Sequence, residues 1–216
     1  MRGMVEREAA LGIPADASVV LPGELIVPDG AAGVVAFAHG SGSSRLSPRN
    51  RRVASALRAR GMATLLFDLL TEPEAQNRAN VFDISLLAGR LEAAIAWLGS
   101  DERTAALPVG CFGASTGAAA ALWAAADEPS RVAVVVSRGG RPDLAGPRLP
   151  EVRCPTLLIV GGADGAVLEL NREAQRLLRC PNKLVVVPGA THLFDEPGAL
   201  EQVADEAAVW FVRHLR

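Results

Sequence analysis

Residues 113–117 read Gly-Ala-Ser-Thr-Gly. Before them stands the short apolar stretch Pro108-Val109-Gly110-Cys111-Phe112, and after them an alanine-rich run from Ala118 to Ala126. A buried strand that passes at once into a strong helix former constrains the fold more than any other feature of this chain. Gly-x-Ser-x-Gly in that position makes a sharp, strained turn that lifts one side chain, Ser115, out of the strand into open space. The glycines have a steric reason. Neighbouring strands crowd the turn, and positions 113 and 117 tolerate little beyond hydrogen. The pentapeptide alone is also compatible with an ordinary glycine-rich turn and an idle serine, so the partners of Ser115 decide between the two.

Along the chain, apolar runs alternate with helical patterns, the signature of stacked βαβ units and a mostly parallel, doubly wound sheet with helices on both faces. A hairpin is expected over residues 5–27, turning at Pro14-Ala15-Asp16. Buried strands are expected at 34–38, 63–67, 108–112, 132–136, 156–160 and 184–187. Ser47-Pro48 reads as a helix N-cap followed by proline at the first helical position, with the helix running to Arg60 and stopping at Gly61. Leu87, Leu91, Ala94, Ile95 and Leu98 keep helical spacing. Leu168 to Leu178 is a helix. Pro197 opens a last one with the apolar stripe Leu200, Val203, Ala204, Ala207, Phe211 and Leu215. No repeat or linker interrupts residues 1–216, which are expected to form one domain.

Half of the 216 residues are apolar and the net charge is −2. Such a composition suits strands covered on both faces and is too apolar for disorder. No basic block points to nucleic acid or to an anionic membrane. No run approaches the roughly 20 apolar residues of a membrane span, and the charged start Met1–Glu8 lacks the apolar core of a signal peptide. Cys111, Cys154 and Cys180 are odd in number and lack metal-ligand spacing, which fits reduced thiols in a cytoplasm. No metal and no cofactor are expected. The sequence says nothing about oligomeric state.

A serine nucleophile needs a base, and the base needs an orienting carboxylate. The chain has three histidines. His214 falls near the end of the last helix and is expected at the surface. His39 ends a strand ahead of Gly40-Ser41-Gly42-Ser43-Ser44. His192 follows the last strand, at the carboxyl end where ligands sit in a doubly wound sheet, and is the best base. Asp164, in Gly161-Gly162-Ala163-Asp164-Gly165 directly after another strand, is the matching carboxylate. The plain alternative is an aspartate in a glycine turn. Asp195 and Glu196 are rivals, but they sit beside His192 and are placed to start the last helix. Acyl transfer also needs donors for the oxyanion. The amide after the nucleophile, Thr116, supplies one, and the glycine-rich loop after the strand at 34–38 supplies the other, with Ser41 favoured and Gly42 the alternative. His39 is then a residue that holds this loop. A phosphate-cradling role for the same loop is less well supported, because neither Gly-Lys-Ser/Thr nor Gly-x-Gly-x-x-Gly occurs here.

Taken together, His39-Gly40-Ser41-Gly42-Ser43-Ser44, Gly113-Ala114-Ser115-Thr116-Gly117, Gly162-Ala163-Asp164 and His192 stand in the order found in α/β-hydrolases. The chain resembles a compact member of the dienelactone-hydrolase-like group over nearly its whole length. The resemblance implies an α/β-hydrolase fold and a carboxylic ester hydrolase with a Ser-His-Asp triad. One departure matters. Dienelactone hydrolases proper use cysteine where this chain has Ser115, which separates its substrate from dienelactone itself. Similar sequences are sometimes joined to a phosphoribosyltransferase-like domain, absent from these 216 residues.

Fewer than twenty residues separate Val136 from Thr156, too few for the helical cap that many such enzymes carry there. The fold is therefore expected to lack a substantial lid, and the site to be shallow and open. Arg138 and Arg141 fall on a loop at the carboxyl ends of the strands and could hold a substrate carboxylate. The bland alternative, pairing with Asp143 or facing water, is favoured. Arg45, Arg49, Glu72 and Glu74 carry the same ambiguity. Trp97, Trp123 and Trp210 lie on helical faces and are expected in the core. The expected activity is hydrolysis of a small ester or lactone through an acyl-enzyme. A thioesterase, acyltransferase or peptidase with the same triad, or a silent hydrolase-like binding protein, remains open.

Overall fold

The computed structural model describes residues 7–215. Strands β1 (Arg7–Pro14) and β2 (Val20–Val27) form the expected hairpin, whose foreseen positions 5 and 6 lie outside the described residues, as does most of the charged segment Met1–Glu8. Asp16 builds the turn: its Oδ1 accepts the N–H groups of Ser18 at 2.8 Å and Val19 at 2.9 Å. The other strands are β3 (Val34–Ala38), β4 (Ala63–Phe67), β5 (Val109–Ala114), β6 (Val132–Arg138), β7 (Thr156–Gly161) and β8 (Asn182–Val187). They lie in the order β1-β2-β4-β3-β5-β6-β7-β8. The hairpin joins β4 antiparallel, and every pairing from β4 to β8 is parallel. All residues of β3, β4, β5 and β7 are buried, because helices cover both faces of the sheet.

Helices α1 (Pro48–Arg58) and α7 (Ala199–His214) pack together on one face around Val53, Leu57, Val203 and Phe211. Helices α4 (Ile84–Leu98), α5 (Thr116–Asp127) and α6 (Gly165–Leu177) cover the other around Leu91, Ala120 and Ala174. The N-cap at Ser47 is present, its Oγ accepting the Asn50 N–H at 3.3 Å, and Gly61 stands past the helix end at φ 78°. The last helix begins two residues later than expected. Gly198 takes a left-handed backbone, φ 79°, and a first helical turn cannot contain such a residue.

Between β6 and β7, residues Pro142–Glu151 form short 3-10 turns broken at Gly146, with Pro147 and Pro150 inside them. Proline supplies no N–H, so a regular helix cannot run through this stretch. It packs on α5 and α6 and is no cap. Two short helices that the sequence reading did not foresee, α2 (Glu72–Ala75) and α3 (Arg78–Val81), follow β4. Thr71 and Glu74 cap α2 reciprocally. Buried Arg90 ties it to the hairpin turn, reaching Glu74 at 2.7 Å and Asp16 at 2.8 Å. Strands β5 and β6 each run two residues further than expected, and those additions carry Ala114 and Arg138 to the edge of the site.

Candidate active site

Ser115 occupies the junction between β5 and α5 at φ 51°, ψ −120°, a region that L-residues avoid unless the surroundings hold them there. The surroundings do. The Ser115 N–H donates to the Arg138 carbonyl at 3.3 Å, and the Ser115 carbonyl accepts from Ala118 and Arg141, each at 3.1 Å. A Cβ at position 113 would strike the Ala118 backbone, and one at 117 would strike the carbonyl oxygens of Ala38 and His39. Both glycines are therefore required where β5, α5 and the end of β3 converge. Among the described residues the Ser115 hydroxyl has no hydrogen-bond partner in the protein, as a side chain raised into open space should.

Asp164 follows β7 and precedes α6, yet its carboxylate does not cap that helix. Its Oδ2 lies 2.7 Å from His192 Nδ1 instead. The loops carrying the two residues are tied by their main chains, the Ala163 N–H donating to the Ala190 carbonyl at 2.9 Å. His192 is followed by Phe194, buried at φ 58°, which anchors the loop. Ser115 and His192 line one pocket of about 380 Å³ with Gly40, Ser41, Gly42, Ser43, Ser47, Arg49, Ala114, Arg138 and Leu193. The structure thus gathers Ser115, His192 and the Gly40–Ser43 loop around one space, with Asp164 behind the imidazole.

The loop after β3 is held as expected by His39. Its Nδ1 donates to the Gly40 carbonyl at 3.0 Å and its Nε2 accepts the Leu69 N–H at 3.0 Å. Burial lowers the pKa of this imidazole, which keeps it neutral and able to accept. The Ser41 N–H, foreseen as an oxyanion donor, donates to Thr116 Oγ1 at 2.9 Å. Gly42, at φ 69°, has an N–H with no acceptor among the described residues. The Thr116 N–H, first in α5, has no intrahelical acceptor.

The two arginines separate. Arg141 is held by Asp143 in a two-point pair at 2.8 and 2.7 Å and lines neither pocket beside the serine, so of its two readings the favoured pairing is the one found, and contact with substrate is not. Arg138 lines the serine's pocket and is only 8% exposed. Its Nη2 reaches Asn50 Oδ1 at 3.4 Å, its guanidinium lies 5.9 Å from the Phe194 ring centre, and its Nε is buried without a partner among the described residues. Burial, and then the charge of Arg49, lower its pKa to about 10, with Asp195 opposing. Arg49, which the sequence left undecided, also lines this pocket, while Asp195 grips it at 3.0 and 3.2 Å. No local signal marks Arg138 as buried or Arg49 as facing Ser115. Both placements depend on the start of α1, which brings Asn50 to Arg138 and Arg49 to the pocket.

The Gly40–Ser43 loop and Thr116 also wall a second pocket of about 350 Å³. Pro22, Leu69, Leu70, Ala75, Val81 and Leu87 make it mostly apolar, its Arg45 and Asp68 neutralise each other at 2.5 Å, and Glu72 also lines it. The wall comes from the stretch after β4, not from the short crossing between β6 and β7. Glu74, by contrast, belongs to the cap of α2. The tryptophans keep away from both pockets. His214 is half-buried against Trp210 rather than free at the surface. The three cysteines are buried and free. Burial pushes the Cys111 thiol far up and that of Cys154 to about 12. Among the described residues no cluster of three metal-ligating side chains occurs, and no helix is long and apolar enough to cross a membrane.

A mostly parallel eight-stranded sheet with a strained serine at the strand-to-helix turn defines an α/β-hydrolase. The model of the dienelactone hydrolase family matches residues 25–212, and the chain belongs to that family. A dienelactone hydrolase from Anabaena variabilis is similar in structure, with TM-score 0.94 and 53% identity over 98% of this chain and 99% of its own. The esterase domain of a Rhodothermus marinus protein shares the fold at TM-score 0.79 and 20% identity, covering 97% of this chain and all of its own. A Mycobacterium tuberculosis protein, provisionally named a phosphoribosyl transferase, is 62% identical over 91% of this chain. This chain spans only 44% of that relative.

Proposed function

We propose that this hydrolase cleaves small esters or lactones through an acyl-enzyme on Ser115. The observation that carries the reading is the 2.7 Å contact between His192 Nδ1 and Asp164 Oδ2, behind an imidazole that shares a pocket with the strained serine. A carboxylate at Nδ1 fixes the tautomer whose Nε2 is free to accept a proton. Ser115 Oγ attacks the ester carbonyl as His192 takes its proton, and the imidazolium then delivers that proton to the leaving alkoxide. Water, deprotonated by His192, cleaves the acyl-enzyme. Thr116 N–H is one oxyanion donor. Because the Ser41 N–H is engaged by Thr116 Oγ1, Gly42 N–H is the second. The apolar pocket beside Thr116 receives the acyl group. No cofactor or metal enters the scheme.

The transferase name belongs to a relative of which this chain spans less than half. We assign that name to the part of the relative outside the match. A fluorophosphonate probe, followed by peptide mapping, tests the reading. Label on Ser115 with parallel loss of esterase activity supports it. An unlabelled Ser115 in a protein that still cleaves esters refutes it, and an unlabelled protein that cleaves nothing points to a silent binding protein.

A further inference from the structure

The serine's pocket has a charge that hydrolysis of a neutral ester does not use. Its lining includes two guanidinium groups, Arg49 and Arg138, and no carboxylate. One anion, Asp195, lies close to both and grips Arg49. Arg138 has no carboxylate partner among the described residues, only Asn50 at 3.4 Å, and its Nε is buried and unsatisfied. A buried cation in that condition is costly to keep, and natural proteins match such charges. Three further features converge on the same space. The N-terminus of α1 opens at Ser47, itself a lining residue, so the positive end of an eleven-residue helix faces the pocket. Ser47 Oγ already accepts from Asn50, which leaves its O–H to donate. Ser41 and Ser43 add two more hydroxyls to the lining.

We propose that this pocket is a subsite for a phosphate monoester carried on the alcohol half of the substrate, so that the enzyme deacylates esters of phosphorylated alcohols. The inference rests on the serine-hydrolase reading and deepens it. The acyl group lies on the apolar side of the Gly40–Ser43 loop, and the departing alcohol lies on the side of His192, where the guanidiniums are. Phosphate matches this donor set better than a carboxylate does. It offers three oxygens and close to two charges, against two guanidiniums, a helix end and several hydroxyls. The reaction balances without a co-reactant. The acyl C–O bond to the phosphorylated alcohol breaks, His192 returns the serine's proton to that alkoxide, and water supplies hydroxyl to the acyl carbon and a proton to Ser115. The products are a carboxylic acid and a phosphorylated alcohol.

Three butyrates with one acyl group test this: 2-(butyryloxy)ethyl phosphate, 3-(butyryloxy)propanoate and 2-methoxyethyl butyrate, with butyrate release as readout. The phosphate ester is expected to exceed the neutral one by about tenfold or more in kcat/KM, mainly through KM, the scale of one charge-assisted hydrogen bond. Calorimetry with inorganic phosphate reads the subsite without catalysis. Saturable binding is expected, weakened about tenfold in Arg138→Gln and also weakened in Arg49→Gln, a more exposed position that guards against a folding artefact at Arg138. Arg138→Lys is expected to restore part of the loss. Preference for the propanoate, no preference at all, or phosphate binding unchanged in folded variants overturns the proposal. If Ser115 reacts with fluorophosphonate and the neutral butyrate is cleaved, that failure concerns the phosphate subsite alone. If Ser115 does not react and no ester is cleaved, the hydrolase reading fails and the substrate subsite fails with it.

Discussion

His192 Nδ1 and Asp164 Oδ2 lie 2.7 Å apart, although they belong to loops after different strands, β8 and β7. The main-chain bond from Ala163 to Ala190 places the two loops before the side chains meet, so the contact is built into the sheet's edge. Asp164→Asn is therefore expected to leave stability nearly unchanged and to lower turnover by roughly 10⁴, because an amide favours the wrong imidazole tautomer. The rivals are otherwise engaged. Asp195 binds Arg49, and hydrogen bonds from Thr191 hold the Glu196 carboxyl below its ordinary value. Turnover measured for Asp164→Asn, Asp195→Asn and Glu196→Gln decides. A larger loss at Asp195 or Glu196 would reassign the acid.

Ser115→Ala is expected to abolish ester hydrolysis, with a loss on the order of 10⁴ to 10⁶, and to leave the melting temperature close to that of the parent. Alanine keeps the Cβ and hence the same left-handed strain at φ 51°, and the hydroxyl it removes bonds to no protein group among the described residues. Turnover close to that of the parent would remove Ser115 from the mechanism.

The strand-turn-helix at Ser115, the loops of Asp164 and His192, and the Ser47-Pro48 helix start were legible because each is written in a few adjacent residues. Glycines mark where backbone must pass close, and Ser-Pro marks a first helical turn. The stretch from Glu72 to Val81 was not. Its two helices have four residues each, too short for a periodic pattern, and their place depends on Arg90 reaching Glu74 and Asp16 from another helix. Arg138 was read as a loop residue because β6 continues past its last aliphatic residue through Ser137 and Arg138. Pairing with β5 and β7 on either side, not hydropathy, extends that strand.

Stability is expected to depend on pH through His39. Folding lowers its pKa from the ordinary 6.5, mainly by burial. Between the lowered value and 6.5 the unfolded chain binds more protons than the folded one, so stability rises with pH across that window and is lost as pH falls through it. The protonated ring can no longer accept the Leu69 N–H, which frees the Gly40–Ser43 loop. Melting temperatures from pH 5 to 8 for the parent and His39→Gln check this. The variant is expected to show the shallower dependence, with a residue left from His214, whose pKa burial also lowers. Equal slopes would exclude His39 as the source.

The apolar pocket beside Thr116 sets the expected acyl preference. From p-nitrophenyl acetate upward, kcat/KM is expected to rise by at most about fourfold per methylene, the value of about 0.8 kcal/mol for each one buried, and then to fall once the roughly 350 Å³ is filled. Val81→Trp, which fills the pocket from α3, is expected to move the optimum back toward acetate. A specificity constant that climbs without limit to long chains, or an optimum unmoved by the tryptophan, would place the acyl group elsewhere.

The last prediction concerns which atom becomes acylated. Cys111 stands four residues before Ser115, and a thiolate nucleophile is the obvious rival in this family. Geometry and charge both oppose it. Cys111 is buried within β5, and burial raises its pKa so far that no useful thiolate fraction exists near neutrality. It lines neither pocket beside the elbow. A fluorophosphonate is expected to label Ser115 alone and stop hydrolysis, while iodoacetamide leaves activity largely intact. Cys111→Ala is expected to remain active, with some loss of stability from the small space it opens in the core. Loss of activity in a folded Cys111→Ala protein, with the acyl group of the parent mapped to residue 111, would overturn the serine mechanism.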